Sequence, residues 1–277
     1  MFLTMILIIL SLTIDGLIFY FSGLWSNLSF LWLPFLLFPF LYFGLFALLL
    51  IILFITSLFI DKTKERKEPN RFFLFIVNEV NHQLIFLSGT RIKKIGFDKL
   101  PKDGHYMITF NHISNFDPMI IMDVLKKYNI ICISKKENLK TPIMGAFIQK
   151  AGYIPIDRQD LRQTLKMFRK AVHYSQDLNY SICVAPEGTR SKTLELLPFH
   201  SGTYRLPLKA EMGIIEIYLE NTNLIHKNFP FKLTKVKMEV MDIIEYDSIK
   251  DDCTQTIAEN ARDRYVQTIK KREEQTK

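Results

Sequence analysis

The sequence predicts an α/β domain, with a mixed central sheet flanked by helices, preceded by an N-terminal transmembrane or membrane-embedded helical hairpin. Two observations carry that prediction. Up to Ile60 the only charged side chain is Asp15, whereas beyond it charges of both signs recur throughout. Beyond residue 88, short strand-like runs alternate with helix-like ones, the pattern of a sheet covered by helices. The chain of 277 residues is 48% apolar, enough for one core with apolar length left over. The expected organisation is therefore a membrane anchor over 1–60, a basic linker and amphipathic helix over 61–87, and a domain over 88–277.

In the anchor, residues 2–22 and roughly 40–60 each approach the ~20 apolar residues that cross a hydrocarbon core. Pro34 and Pro39 make the stretch before the second run a bent or interfacial lead-in. Trp25 and Trp32 lie in or beside the connection, where amphipathic rings favour headgroup depth. Asp15 would cost ~2.5–3.5 kcal/mol at a bilayer centre. The first helix is thus shallow or faces protein, and a hairpin entering one side of the bilayer stays open beside two full spans. A cleaved signal peptide competes, but the run lacks a basic leader and a small-residue cleavage site.

The segment DKTKERKEPNR holds five basic and three acidic residues, while no Lys or Arg precedes it. The positive-inside bias then places the following domain on the cytoplasmic face of an integral membrane protein. Next, FFLFIVNEVNHQLIFL sets Phe73, Val77, Val80, Leu84 and Leu87 on one helical side, with Asn78, Glu79 and His82 away from it. Such a helix covers either the domain's own core or the membrane surface.

Within the domain, strands are expected near 90–97, 106–110, 130–134, 153–157, 180–184, 214–220 and 233–245. Helices are expected near 115–128, 142–151, 160–177, 203–212 and 254–272. The net charge is +8, and beyond residue 60 it is +9, from 36 basic and 27 acidic side chains. A basic surface suits anionic partners, yet no Arg-rich or RNP-like aromatic motif favours nucleic acid. Cys132, Cys183 and Cys253 are far apart in sequence, which supports neither a disulfide framework nor a metal site. No GxGxxG, GxxxxGK[ST] or GxSxG occurs, which weakens nucleotide-binding and serine-hydrolase readings.

Chemistry is concentrated in four short stretches. NHISNFD, 111–117, follows a strand and precedes a helix-like run. Asp117 before Pro118 resembles a helix start with Asp at the N-cap. It also lies where a turn folds its carboxylate onto His112, fixing the imidazole tautomer. VAPEGTRS, 184–191, closes a strand. Gly188 there permits a tight turn presenting amides to an anion, and Arg190 offers a planar fork for phosphate. Glu187 could orient that arginine or bind a substrate hydroxyl. AGYIPIDR, 151–158, ends in Asp157 and Arg158, and Lys135 and Lys136 follow the strand IICIS. Each has a plain alternative as a turn or strand-end charge.

Together, in this order, NHISNFD, the lysine of SKKE, GYIPIDR and PEGTR resemble the lysophospholipid acyltransferase family over residues 88–222. The resemblance implies His112 as general base and Asp117 as its orienting partner. It implies Lys135, Arg158, Glu187, Gly188, Thr189 and Arg190 as the substrate phosphate-binding set, with no metal and no bound cofactor. The co-substrate would be an acyl thioester of coenzyme A or of an acyl carrier protein. The acceptor would be the membrane lipid 1-acyl-glycerol-3-phosphate, with glycerol-3-phosphate or another lysophospholipid as alternative, and transacylation as a variant. Two departures bear on donor and headgroup contacts. The chain reads GIIEIYL where the family often has a Val-Pro pair, and FHSG lacks the usual basic residue before Gly202. A membrane-tethered binding module without catalysis is the reading from a different class.

Overall fold

The computed structural model describes residues 1–61, 66–156 and 160–274. Two helices, α1 (Phe2–Phe21) and α2 (Leu33–Phe59), pack against each other as an apolar hairpin. Both are long and apolar enough to cross a membrane. The expected bent lead-in is absent. Pro34 sits in the first turn of α2, where a missing N–H leaves no intrahelical bond unmade, and the helix runs on through Pro39. Asp15 is buried within the hairpin.

Helix α3 (Arg71–Leu87) opens on Asn70, whose side chain accepts from Phe72 N and Phe73 N at 3.0 and 3.2 Å. Its buried set is Leu74, Val77, Val80, Asn81, Gln83 and Ile85, and Leu84 is exposed. This differs from the single stripe expected, because α3 is covered on two sides. Its apolar side meets the domain, while Leu3 N donates to Glu79 Oε2 at 2.6 Å and Thr4 Oγ1 to Gln83 Oε1 at 2.8 Å. Gln83 in turn donates to the Tyr42 hydroxyl of α2. Glu79, expected on the free polar face, is thus part of the junction with the hairpin, and His82 Nδ1 meets Asp123 Oδ1 at 2.8 Å.

The remaining elements are β1 (Thr90–Ile95), β2 (Tyr106–Phe110), α4 (Phe116–Val124), β3 (Ile130–Lys135), α5 (Met144–Ala151) and β4 (Ile154–Ile156). They continue with α6 (Leu161–Gln176), β5 (Ser181–Val184), α7 (Arg205–Ala210), β6 (Gly213–Glu220), α8 (Ile225–Asn228), β7 (Thr234–Ile244) and α9 (Thr254–Glu274). Among the described residues, seven strands form one sheet in the order β1-β7-β6-β2-β5-β3-β4. All neighbours are parallel except β6 and β7.

Connections from β2 to β3 to β4 advance in one direction across the sheet, and those from β4 to β5 to β6 return. Right-handed crossovers then place α4 and α5 on one face, and α6 and α7 on the other. Helix α3 packs with α4 and α5, so the hairpin is tied to the first of these faces. Because β7 opposes β6, the starts of β7 and β1 share an edge of the sheet with the carboxyl ends of β2, β3, β5 and β6.

Candidate active site

The site forms where β2 stops. Asn111 donates from its amide to Leu219 O at 2.9 Å and accepts from Leu219 N at 2.7 Å. Its side chain thereby replaces the next rung of the β2–β6 ladder and lets the main chain turn away. His112 is the first residue of that turn. Its Nδ1 lies 2.8 Å from Asp117 Oδ2.

Asp117 is not the N-cap of α4; it lies in the first helical turn, behind an N-cap at Asn115. Its Oδ2 also accepts from Ile113 N at 2.8 Å and Ser114 N at 2.7 Å, while Thr222 Oγ1 donates to Oδ1. A carboxylate so placed accepts only, so in a neutral imidazole the proton sits on Nδ1 and the lone pair on Nε2. Asp117 is fully buried, whereas His112 keeps partial exposure toward a cavity.

The loop after β5 is bonded to this turn. Glu187, also buried, accepts from His112 N through Oε1 at 2.6 Å and from Leu197 N through Oε2 at 2.9 Å. Burial pushes its carboxyl above the ordinary range, against the pull of those two amides. Ser191 N donates to His112 O at 2.8 Å, closing the bracket from the other side. Gly188, at φ +70°, makes the turn between them. Both Glu187 oxygens accept from backbone, which fixes one loop to the other.

The cavity beside His112 measures about 840 Å³ and lies between the sheet and helices α6 and α7. Its wall is largely apolar, with Cys132, Cys183, Met167, Phe168 and Leu206 among its lining. Of the residues expected to bind substrate, Lys135, Gly188 and Arg190 line it with His112. Thr189 is exposed and outside its lining. Arg158 lies outside the described residues. Three residues escaped the sequence reading. Thr222 carries no local signal, being 105 positions from Asp117. Arg205 and Lys209 line the cavity from one face of α7, four residues apart, a spacing visible only once that helix is known to face the site.

A buried carboxylate behind a cavity-facing histidine, with cations lining the same apolar space at the carboxyl ends of parallel strands, is a site for acyl or phosphoryl chemistry. The choice between them comes from comparison: residues 91–220, a little under half of the chain, match the acyltransferase family model. More particularly, the chain is similar to a 1-acyl-sn-glycerol-3-phosphate acyltransferase of Limnanthes douglasii, with 30% identity over 157 residues, 57% of this chain and 55% of that protein. The enzyme of that name from Helicobacter pylori is 32% identical over 162 residues, covering 58% of this chain and 66% of the relative. The chain thus spans little more than half the length of the Limnanthes protein. The crystal structure of a 1-acyl-sn-glycerophosphate acyltransferase from Thermotoga maritima aligns over 71% of this chain and 79% of that one. Its TM-score is 0.56 at 19% identity, a likeness of fold.

Proposed function

We propose that this protein transfers a fatty acyl group from an acyl thioester to the free 2-hydroxyl of 1-acyl-glycerol-3-phosphate, forming phosphatidate. The observation that carries this reading is His112, bonded through Nδ1 to buried Asp117 and open to an apolar cavity lined also by Lys135 and Arg190. Nε2 takes the hydroxyl proton as the oxygen attacks the thioester carbonyl; the C–S bond breaks, and the imidazolium returns that proton to the departing thiolate. Asp117 stabilises the imidazolium in between. The thioester is already activated, so no covalent enzyme intermediate is needed. The apolar cavity suits an acyl chain and the cations suit a phosphate.

The domain lies on the cytoplasmic face in this reading, since basic residues follow Ile60 and none precede it. The test is an acyl-transfer assay with lysophosphatidate in lipid, using coenzyme A and carrier-protein thioesters and a panel of acceptors. His112→Ala is expected to lower kcat by ~10²–10⁴-fold with the fold retained. Undiminished turnover in that variant would end the proposal. Preference for glycerol-3-phosphate or another lysophospholipid would keep the chemistry and replace the acceptor.

A further inference from the structure

The connection between α8 and β7 displays Phe229, Phe231 and Leu233 at 52%, 97% and 54% exposure. Three large apolar side chains within one short loop are unusual on a water-facing surface. The chain around them is basic: from Asn221 to Met238 it holds Lys227, Lys232, Lys235 and Lys237 and no Asp or Glu, with Lys237 paired to Glu220 at 2.9 Å. Of these, Lys227, Lys232 and Lys235 are exposed.

The position of the loop says what covers it. Thr234 N donates to Gly89 O at 3.3 Å, so the loop ends against the turn that closes α3. Leu87, at the end of α3, packs against the hairpin cluster of Leu7, Tyr42 and Phe46. Helix α1 runs alongside α3 in the same direction, Leu3 meeting Glu79 and Thr4 meeting Gln83. The hairpin therefore projects beyond Leu87, from the same edge of the molecule that carries the loop and the carboxyl end of β2.

We propose that residues 229–233 form a second membrane contact, in which Phe229, Phe231 and Leu233 enter the acyl–headgroup boundary of an anionic bilayer and the lysines meet lipid phosphates. The proposal rests on the hairpin being a membrane anchor. With it, the domain is held at two separated points, which fixes the tilt of the catalytic edge toward the lipid surface.

The experiment uses the full chain in a Cys253→Ser background, since Cys132 and Cys183 are buried. A polarity-sensitive fluorophore is placed on Phe231→Cys or, as control, on Lys102→Cys before β2 at the opposite edge of the sheet. Both are reconstituted in phosphatidylcholine vesicles with and without phosphatidylglycerol. In anionic vesicles the label at 231 is expected to shift to the blue, to be quenched by shallow lipid-borne quenchers, and to be about threefold less accessible to acrylamide than the label at 102. Lys227→Glu with Lys232→Glu is expected to undo this. Equal accessibility at the two positions overturns the proposal. So does protection indifferent to lipid charge. Quenching of Trp25 and Trp32 by lipid reports the anchor separately, so failure of the loop and failure of the anchor are distinguishable.

Discussion

Among the described residues, Asp117 accepts four hydrogen bonds, from His112 Nδ1, Ile113 N, Ser114 N and Thr222 Oγ1. Three come from its own turn and secure both the loop and the ring; only Thr222 arrives from a distant segment. Removing that donor leaves a fully buried carboxylate oxygen without a partner, worth ~1.5 kcal/mol or more for a charged acceptor. Thr222→Val is therefore expected to lower kcat about tenfold with little change in KM. Thr222→Ser, which restores the hydroxyl, is expected to recover most of it; equal loss in both variants would reduce Thr222 to a packing residue. The pair itself was legible in the sequence because His112 and Asp117 lie five positions apart in one turn. Thr222 was not, because its role exists only after β6 has been laid beside β2.

Among the elements, α9 is attached to the sheet by charge as well as packing. Arg264 Nε and Nη2 meet Glu216 Oε2 and Oε1 at 2.7 and 2.9 Å, and Tyr265 donates to Ile217 O at 3.0 Å. Glu216 is the residue that interrupts GIIEIYL, and it is fully buried. Burial pushes its carboxyl up while Arg264 draws it down. Arg264→Met strands that carboxylate and is expected to destabilise the protein by ~3–5 kcal/mol, read from thermal or denaturant unfolding. A group whose folded-state affinity for protons is raised favours folding at low pH and loses that contribution as pH rises. The deficit of the variant should thus be smallest in acid and grow with pH; a deficit independent of pH would assign the loss to packing alone. The strands were legible as elements, since 106–110 and 130–134 are short apolar runs with turn residues around them. The start of α2 and the two buried sides of α3 were not, because local pattern does not say which neighbour covers a helix. Glu79 reads as a polar-face residue until the hairpin is placed against it.

For the whole molecule, if the hairpin is the membrane anchor proposed above, its junction with the domain decides how far the apolar helices reach into lipid. Leu7 and Phe46 lie beside Leu87, where α3 ends, so only the distal part of each helix is free of the domain. From Leu7 to Phe21 that free length is about 21 Å at ~1.5 Å per residue. A hydrocarbon core is ~30 Å thick. With the end of α3 at the interface, the connection carrying Trp25 and Trp32 stops within the bilayer, short of the far headgroups. Both indoles are exposed on the protein surface and so report on lipid directly. Quenching of the reconstituted protein by lipids brominated at successive chain depths is expected to be strongest with deep acyl-chain bromines. Strongest quenching by headgroup-level probes, together with labelling of a Ser26→Cys variant from the far side of sealed vesicles, would instead show a hairpin of two full spans. In that case α3 and the loop after α8 would be drawn into the hydrocarbon, and the catalytic edge would meet the acceptor lipid below the level of its phosphate. The cations lining the cavity argue against that arrangement, because Lys135, Arg190, Arg205 and Lys209 need water or phosphate around them.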